Sequence, residues 1–197
     1  MANLIDHIRE HLDITQEMED RLRMMITETH FRRGETIFSN HDLRSLAFFV
    51  RKGSARSFYL HSGREHTYSF TLDDDFITIP MSIANSDDEI IIGIEFMEPT
   101  DVMFIPIADM RTIIDNYGES NIAEVASYLI SILFEYSRTI EERLMVLQSM
   151  SATERYQWFT NKYPAILERA NLTQIASFLG ITKETLYRIR SGKYKQK

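Results

Sequence analysis

The sequence predicts an α+β protein: an N-terminal antiparallel β-roll, a long central helix and a C-terminal all-α helix-turn-helix unit. Three observations carry this reading. Residues 30–107 are rich in Phe, Ile, Val, Tyr and Thr, and are cut repeatedly by glycines and acidic turns. Apolar residues then recur at three- and four-residue steps from Ile122 to Leu147. Finally LTQIASFLGITKETLYRIRSGK, residues 172–193, has the spacing of two helices joined by a tight turn.

Composition narrows the field. A chain of 197 residues with 44% hydrophobic side chains can bury one large core or two small ones. No window approaches the ~18 apolar residues of a membrane span, and MANLIDHIREHLD carries charges where a secretory signal would be apolar. A cytoplasmic protein with no membrane partner is expected. With no cysteine, disulfides, thiolate-held iron–sulfur clusters and cysteine-rich zinc sites are excluded. The net charge of −7 hides an asymmetry: residues 149–197 hold nine Lys/Arg against three Glu. That end carries about +6 and the remainder about −13, so phosphates would be drawn to one end and repelled by the other.

Taken in order, Ile5, Ile8 and Leu12, then Met18, Leu22, Met25 and Ile26 after a cap at Thr15, predict two short amphipathic helices. Gly34, Gly53, Gly63, Asp73-Asp74-Asp75, Asn85-Ser86-Asp87-Asp88 and Glu98-Pro99 punctuate the strands that follow. Met110, Ile113 and Ile114 predict a short helix. From Ser120 a helix of about 28 residues, ~42 Å long, overhangs any small roll, so its stripe is expected to pack on a second copy of the chain. Leu129, Leu133, Tyr136, Ile140 and Leu144 are the candidate dimer residues, with the first half of the helix partly core against the roll. Arg138, Glu141, Glu142 and Arg143 are expected to flank that seam as solvated charges. Ser151 and Glu154 have capping-box spacing and open a new helix that stops before Pro164. The expected domains are 1–118, 119–148 and 149–197.

In the opening stretch Asn171 and Gln174 form another capping pair, Gly180 accepts the positive φ of the turn, and Thr182 caps the second helix. Ile175, Ala176, Leu179, Ile181, Leu186 and Ile189 make the small core. The other face of the second helix carries Lys183, Glu184 and Arg188, whose groups suit base edges in a major groove. Tyr187 and Arg190 are secondary candidates, while Thr182, Lys193 and Lys195 are placed for phosphates.

These features, with ERYQWF and IASFLGITKETLYRIR, resemble the Crp/Fnr family of bacterial transcription regulators over the whole chain. The resemblance implies a cyclic-nucleotide-domain-like roll, a homodimer, an inverted-repeat operator, and Lys183, Glu184 and Arg188 as base readers. It implies double-stranded DNA and a second copy as partners, with RNA polymerase and a small-molecule effector of unknown identity as further ones. The family's hairpin wing has no counterpart in the short link from Tyr163 to Asn171. Members that bind cyclic AMP carry Gly-Glu and Arg-Ser pairs; matching the patterns puts Thr78, Ile79, Ile91 and Ile92 there. An aliphatic carbon cannot pair a buried phosphate, so cyclic AMP is not expected, and these four residues are a candidate pocket for a more apolar effector or for none.

Two other readings remain at this stage. His61 and His66 bracket a turn, as in a cupin-like metal-dependent enzyme, but His-x-His spacing is missing and His7, His11, His30 and His41 are scattered. No nucleophile–base–orienter set is visible, so no catalytic residue, metal ligand or cofactor is expected. A partner-binding regulatory module without DNA affinity is the third reading, against which the basic C-terminal end argues.

Overall fold

Two short helices lead into the sheets: α1 (Leu4–Arg9) and α2 (Gln16–Met25), the second capped by Thr15 Oγ1, which accepts from the Met18 N–H. The structure, a computed structural model, describes residues 4–38, 46–77, 91–106 and 119–193, and within the long helix the side chains of 119–122, 124, 125 and 129 lie outside that description. Ile5, Ile8, Met18 and Leu22 pack with Phe49, Met103 and Ile105 from the sheets and with Tyr128 from the long helix.

Eight described strands follow: β1 (Thr27–Phe31), β2 (Thr36–Phe38), β3 (Leu46–Lys52), β4 (Ala55–His61), β5 (Arg64–Thr71), β6 (Asp75–Phe76), β7 (Ile91–Phe96) and β8 (Thr100–Pro106). They form two antiparallel four-stranded sheets, in the orders β1-β8-β3-β6 and β2-β7-β4-β5. Phe48, Val50 and Val102 from the first meet Ala55, Ile94 and Phe96 from the second. That is the core of the expected roll. Gly93 is required by close approach, since a Cβ there would overlap the buried Phe58 ring. The acidic run makes a turn in which Asp74 takes a φ of +61° and the Asp73 carboxylate accepts from Gly53 N–H.

His7 on α1 lies 5.3 Å from the Phe49 ring and 5.1 Å from the His11 ring. Burial, then the charge of His11, holds its pKa below the ordinary 6.5, against the opposing pull of Glu10, Asp75 and Asp74. The unfolded chain therefore binds this proton more readily, so His7 contributes stability above about pH 6.5 that is lost as pH falls. Thermal melts at stepped pH should show less loss of melting temperature between pH 7 and 5 in His7→Phe than in the native chain. An equal loss would remove His7 from the account.

The long helix, α3 (Glu119–Ser149), has 31 residues and spans ~46 Å. It starts one residue before the expected Ser120. Tyr128 and Ile132 join the core shared with α1 and α2, as expected of its first half. The rest of the stripe stays open: Leu133 is 64% and Phe134 72% exposed, and Ile130, Ile140, Leu144 and Met145 are exposed beside them.

Beyond α3 lie α4 (Ala152–Lys162), α5 (Ile166–Arg169), α6 (Leu172–Phe178) and α7 (Lys183–Arg190). Ser151 and Glu154 close the predicted capping box on α4. Four residues of the link after Pro164 form α5, and no strand lies between α4 and α6. The short helix expected around Met110 lies outside the described residues.

Candidate nucleic-acid interface

Asn171 and Gln174 form a capping box on α6: Asn171 Oδ1 accepts from Gln174 N–H at 3.0 Å, and Gln174 Oε1 accepts from Asn171 N–H at 2.9 Å. Gly180, at φ +63°, turns the chain, and the Ile181 N–H donates to the Ala176 carbonyl. Thr182 then caps α7 by accepting from Thr185 N–H at 3.1 Å. Ile175, Ala176, Leu179 and Leu186 are buried with Phe159 and Ile166, while Ile181 and Ile189 are half-buried. The local pattern read in the sequence thus folds as a helix-turn-helix.

One face of α7 is consumed by that core and the other is free. Lys183, Glu184, Tyr187, Arg188 and Arg190 are all exposed, Tyr187 to 62%, and so is Lys193 just past the helix end. At 3.6 residues per turn, Lys183, Tyr187 and Arg190 fall in one row and Glu184 and Arg188 in the next. The presented chemistry is three cations, one carboxylate and a phenol on two turns of helix. Thr182 spends its hydroxyl on the cap, which also presents it at the helix start. Lys195 lies outside the described residues.

Among the candidate dimer residues, Leu133, Ile140 and Leu144 share the exposed stripe of α3, and Tyr136 at its margin is half-buried. The Leu129 side chain lies outside the description. Of the effector-pocket candidates, Thr78 and Ile79 lie outside the described residues. Ile91 and Ile92 occupy successive positions of β7 and so point to opposite faces; Ile92 is buried and Ile91 half-exposed. The structure does not bring those two together.

Of the charges expected to be solvated, Arg143 is not, and Glu142 is only partly so. Arg143 is largely buried, which lowers its pKa, and its guanidinium donates to the carbonyls of Thr67 and Tyr68 at 3.2 Å and of Phe178 at 3.0 Å. Glu142 accepts from Trp158 Nε1 at 2.9 Å and pairs with Lys162, whose hydrogen bond holds its carboxyl below the usual range. A helical wheel carried the signal for Arg143, since it falls on the same side as Tyr128 and Val146, both buried. Arg138 pairs with Glu135 at the surface, as expected.

Sequence reasoning also missed Arg56. It is buried on β4, where its guanidinium contacts Glu95 at 2.5 Å and Glu65 at 2.6 Å and lies 4.3 Å over the Phe58 ring. Nothing in the local sequence marks it, because its partners come from two other strands. Among the described residues no group of three or more His, Cys, Asp or Glu side chains is arranged to hold a metal ion. No described helix is long and apolar enough to cross a membrane.

No protein-family model matches the chain, and no curated protein matches it. Solved structures do. A protein from Eubacterium rectale assigned as a transcriptional regulator of the Crp/Fnr family superposes with a TM-score of 0.69 at 19% identity, over 91% of this chain and 83% of that one. FixK2 from Bradyrhizobium japonicum gives 0.67 at 22% identity over 85% and 83%. The c-di-GMP responsive global regulator CLP of Xanthomonas campestris gives 0.65 at 15% identity over 90% and 91%. Over 85–91% of its length the chain has a Crp/Fnr-like fold.

Proposed function

We propose that the protein is a sequence-specific DNA-binding transcription regulator, and not an enzyme, that acts as a homodimer on an inverted-repeat operator. The observation that carries this is the free, basic face of α7 on the second helix of a helix-turn-helix whose other face packs Leu186 into the motif's core. Lys183, Glu184 and Arg188 read base edges; Thr182, Tyr187, Arg190, Lys193 and Lys195 hold phosphates or secondary positions. Residues 1–118 form the sensor domain, 119–148 the dimerisation helix and 149–197 the DNA-binding domain. The exposed stripe of α3 supports the dimer, since an apolar row of this length on a soluble helix calls for a partner. The effector is not cyclic AMP. The protein works in the cytoplasm, with RNA polymerase as a further partner.

Selection from random duplexes tests the reading. Two recognition helices related by a two-fold must enter successive major grooves on one face, so the selected site should be an inverted repeat with half-site centres ~34 Å apart. Recovery of no common motif would overturn it.

A further inference from the structure

The outer face of the second sheet carries a crevice that DNA binding leaves unused. Side chains alternate along a strand, so while Ala55 on β4 and Ile94 on β7 point into the roll, their neighbours Arg56 and Glu95, paired across the strands, point out. With Phe38 of β2 and Glu65 of β5 they line a cavity of about 310 Å³, closed on its other side by Thr173 and Gln174 of α6. That volume lies at the lower end of the range for small-molecule sites. A second cavity of about 110 Å³ shares Glu95 and Gln174 with the first and is also lined by Arg33 and Arg169. Neither Ile91 nor Ile92 lines either cavity.

The crevice presents both signs of charge. Arg56 is buried 4.3 Å over the Phe58 ring, and its guanidinium is shared between Oε2 of Glu65 at 2.6 Å and Oε2 of Glu95 at 2.5 Å. Gln174 Nε2 donates to that same Glu95 oxygen at 2.9 Å. Oε1 of each carboxylate therefore accepts no hydrogen bond among the described residues. An ammonium group, with three donors and no acceptor, suits two such oxygens. In the smaller cavity Arg33 is exposed and without an ion pair among the described residues, and Arg169 pairs with Glu98 at 3.1 Å. A guanidinium fork suits a carboxylate.

These charges select a ligand class. A lone anion would meet Glu65 and Glu95, with Arg56 already paired to both, whereas a lone cation would meet Arg33 and Arg169. We infer that the crevice binds a small zwitterion of the free amino-acid or dipeptide class, its ammonium at Glu65 and Glu95 and its carboxylate at Arg33 and Arg169. Phe38, half-exposed and edge-on to the Phe58 ring at 6.2 Å, offers an apolar surface to the ligand's side chain.

The test reads ligand binding to the full-length protein, so its outcome is independent of whether the protein binds DNA. A panel of the standard L-amino acids and of dipeptides containing each of them is screened by thermal shift, and the ligands found are titrated by calorimetry. At least one should bind saturably with a Kd below about 1 mM. Its N-acetyl and C-terminal amide derivatives should each bind at least about tenfold more weakly, as expected when a charge-assisted contact is lost. Glu65→Gln and Arg33→Ala should each weaken the parent ligand by a similar factor. Both side chains are exposed and belong to no core cluster, so circular dichroism should show the native fold. A panel in which nothing binds overturns the inference. So does a ligand held equally well by both variants, or one whose affinity survives the blocking of either charged end.

Discussion

Leu133→Glu and Ile140→Glu are each expected to convert the protein to monomers and to abolish specific DNA binding at the concentrations where the native chain binds. Both residues lie on the exposed stripe of α3 with Phe134 and Leu144, and both would be desolvated between two copies of the helix. A carboxylate without a partner in such a seam costs several kcal/mol, more than a seam of this size can absorb. The monomer itself should remain folded, since these positions are open to solvent in the single chain and take no part in its core clusters. Light scattering gives the assembly state and far-ultraviolet circular dichroism the fold. A native protein that is monomeric at micromolar concentration would defeat this part of the account, as would charged variants that stay dimeric.

The second large effect concerns readout. Arg188→Ala should cost roughly 1–3 kcal/mol on the selected site and relax the preference at one base pair in each half-site, because a lost base contact is local. Lys193→Ala should weaken binding to all sequences alike and lower the slope of log affinity against log salt by about one unit, because a phosphate contact carries counterion release and no sequence information. Arg188 lies on the free face of α7 within the helix, whereas Lys193 follows its end, which is the geometric basis for the contrast. Titrations at several salt concentrations on the selected and singly altered duplexes measure both. A motif unchanged by Arg188→Ala but altered by Lys193→Ala would show that the two faces had been assigned the wrong way round.

The parts of this molecule that could be read from sequence are those fixed by neighbours in the chain. Asn171 and Gln174, Gly180, and Thr182 each act within four residues of their partners, so spacing alone placed both helices and the turn between them. The strands were legible as a group from their turns. Apart from the β4–β5 hairpin, their pairing was not, because β1 with β8, β3 with β8, β2 with β7 and β4 with β7 join segments far apart in sequence. Arg143 and Glu142 show the limit from the other side. On charge alone both belonged in solvent; the carbonyls of β5 and α6 draw Arg143 inward, and Trp158 and Lys162 of α4 engage the half-buried Glu142. Likewise, Ile91 and Ile92 align as a pair with the family's Arg-Ser positions, but the alternation of a strand separates what adjacent numbers unite.

The most direct measurement is the ratio of affinities for the selected inverted repeat and for a scrambled duplex of the same length and composition, taken at one near-physiological salt concentration. If α7 reads bases as a dimeric pair, the selected site should be favoured by at least about 10³-fold, the range in which specific recognition exceeds backbone attraction. Equal affinities within a few-fold would mean that the basic end is attracted only to phosphate, and the protein would not be a sequence-specific regulator.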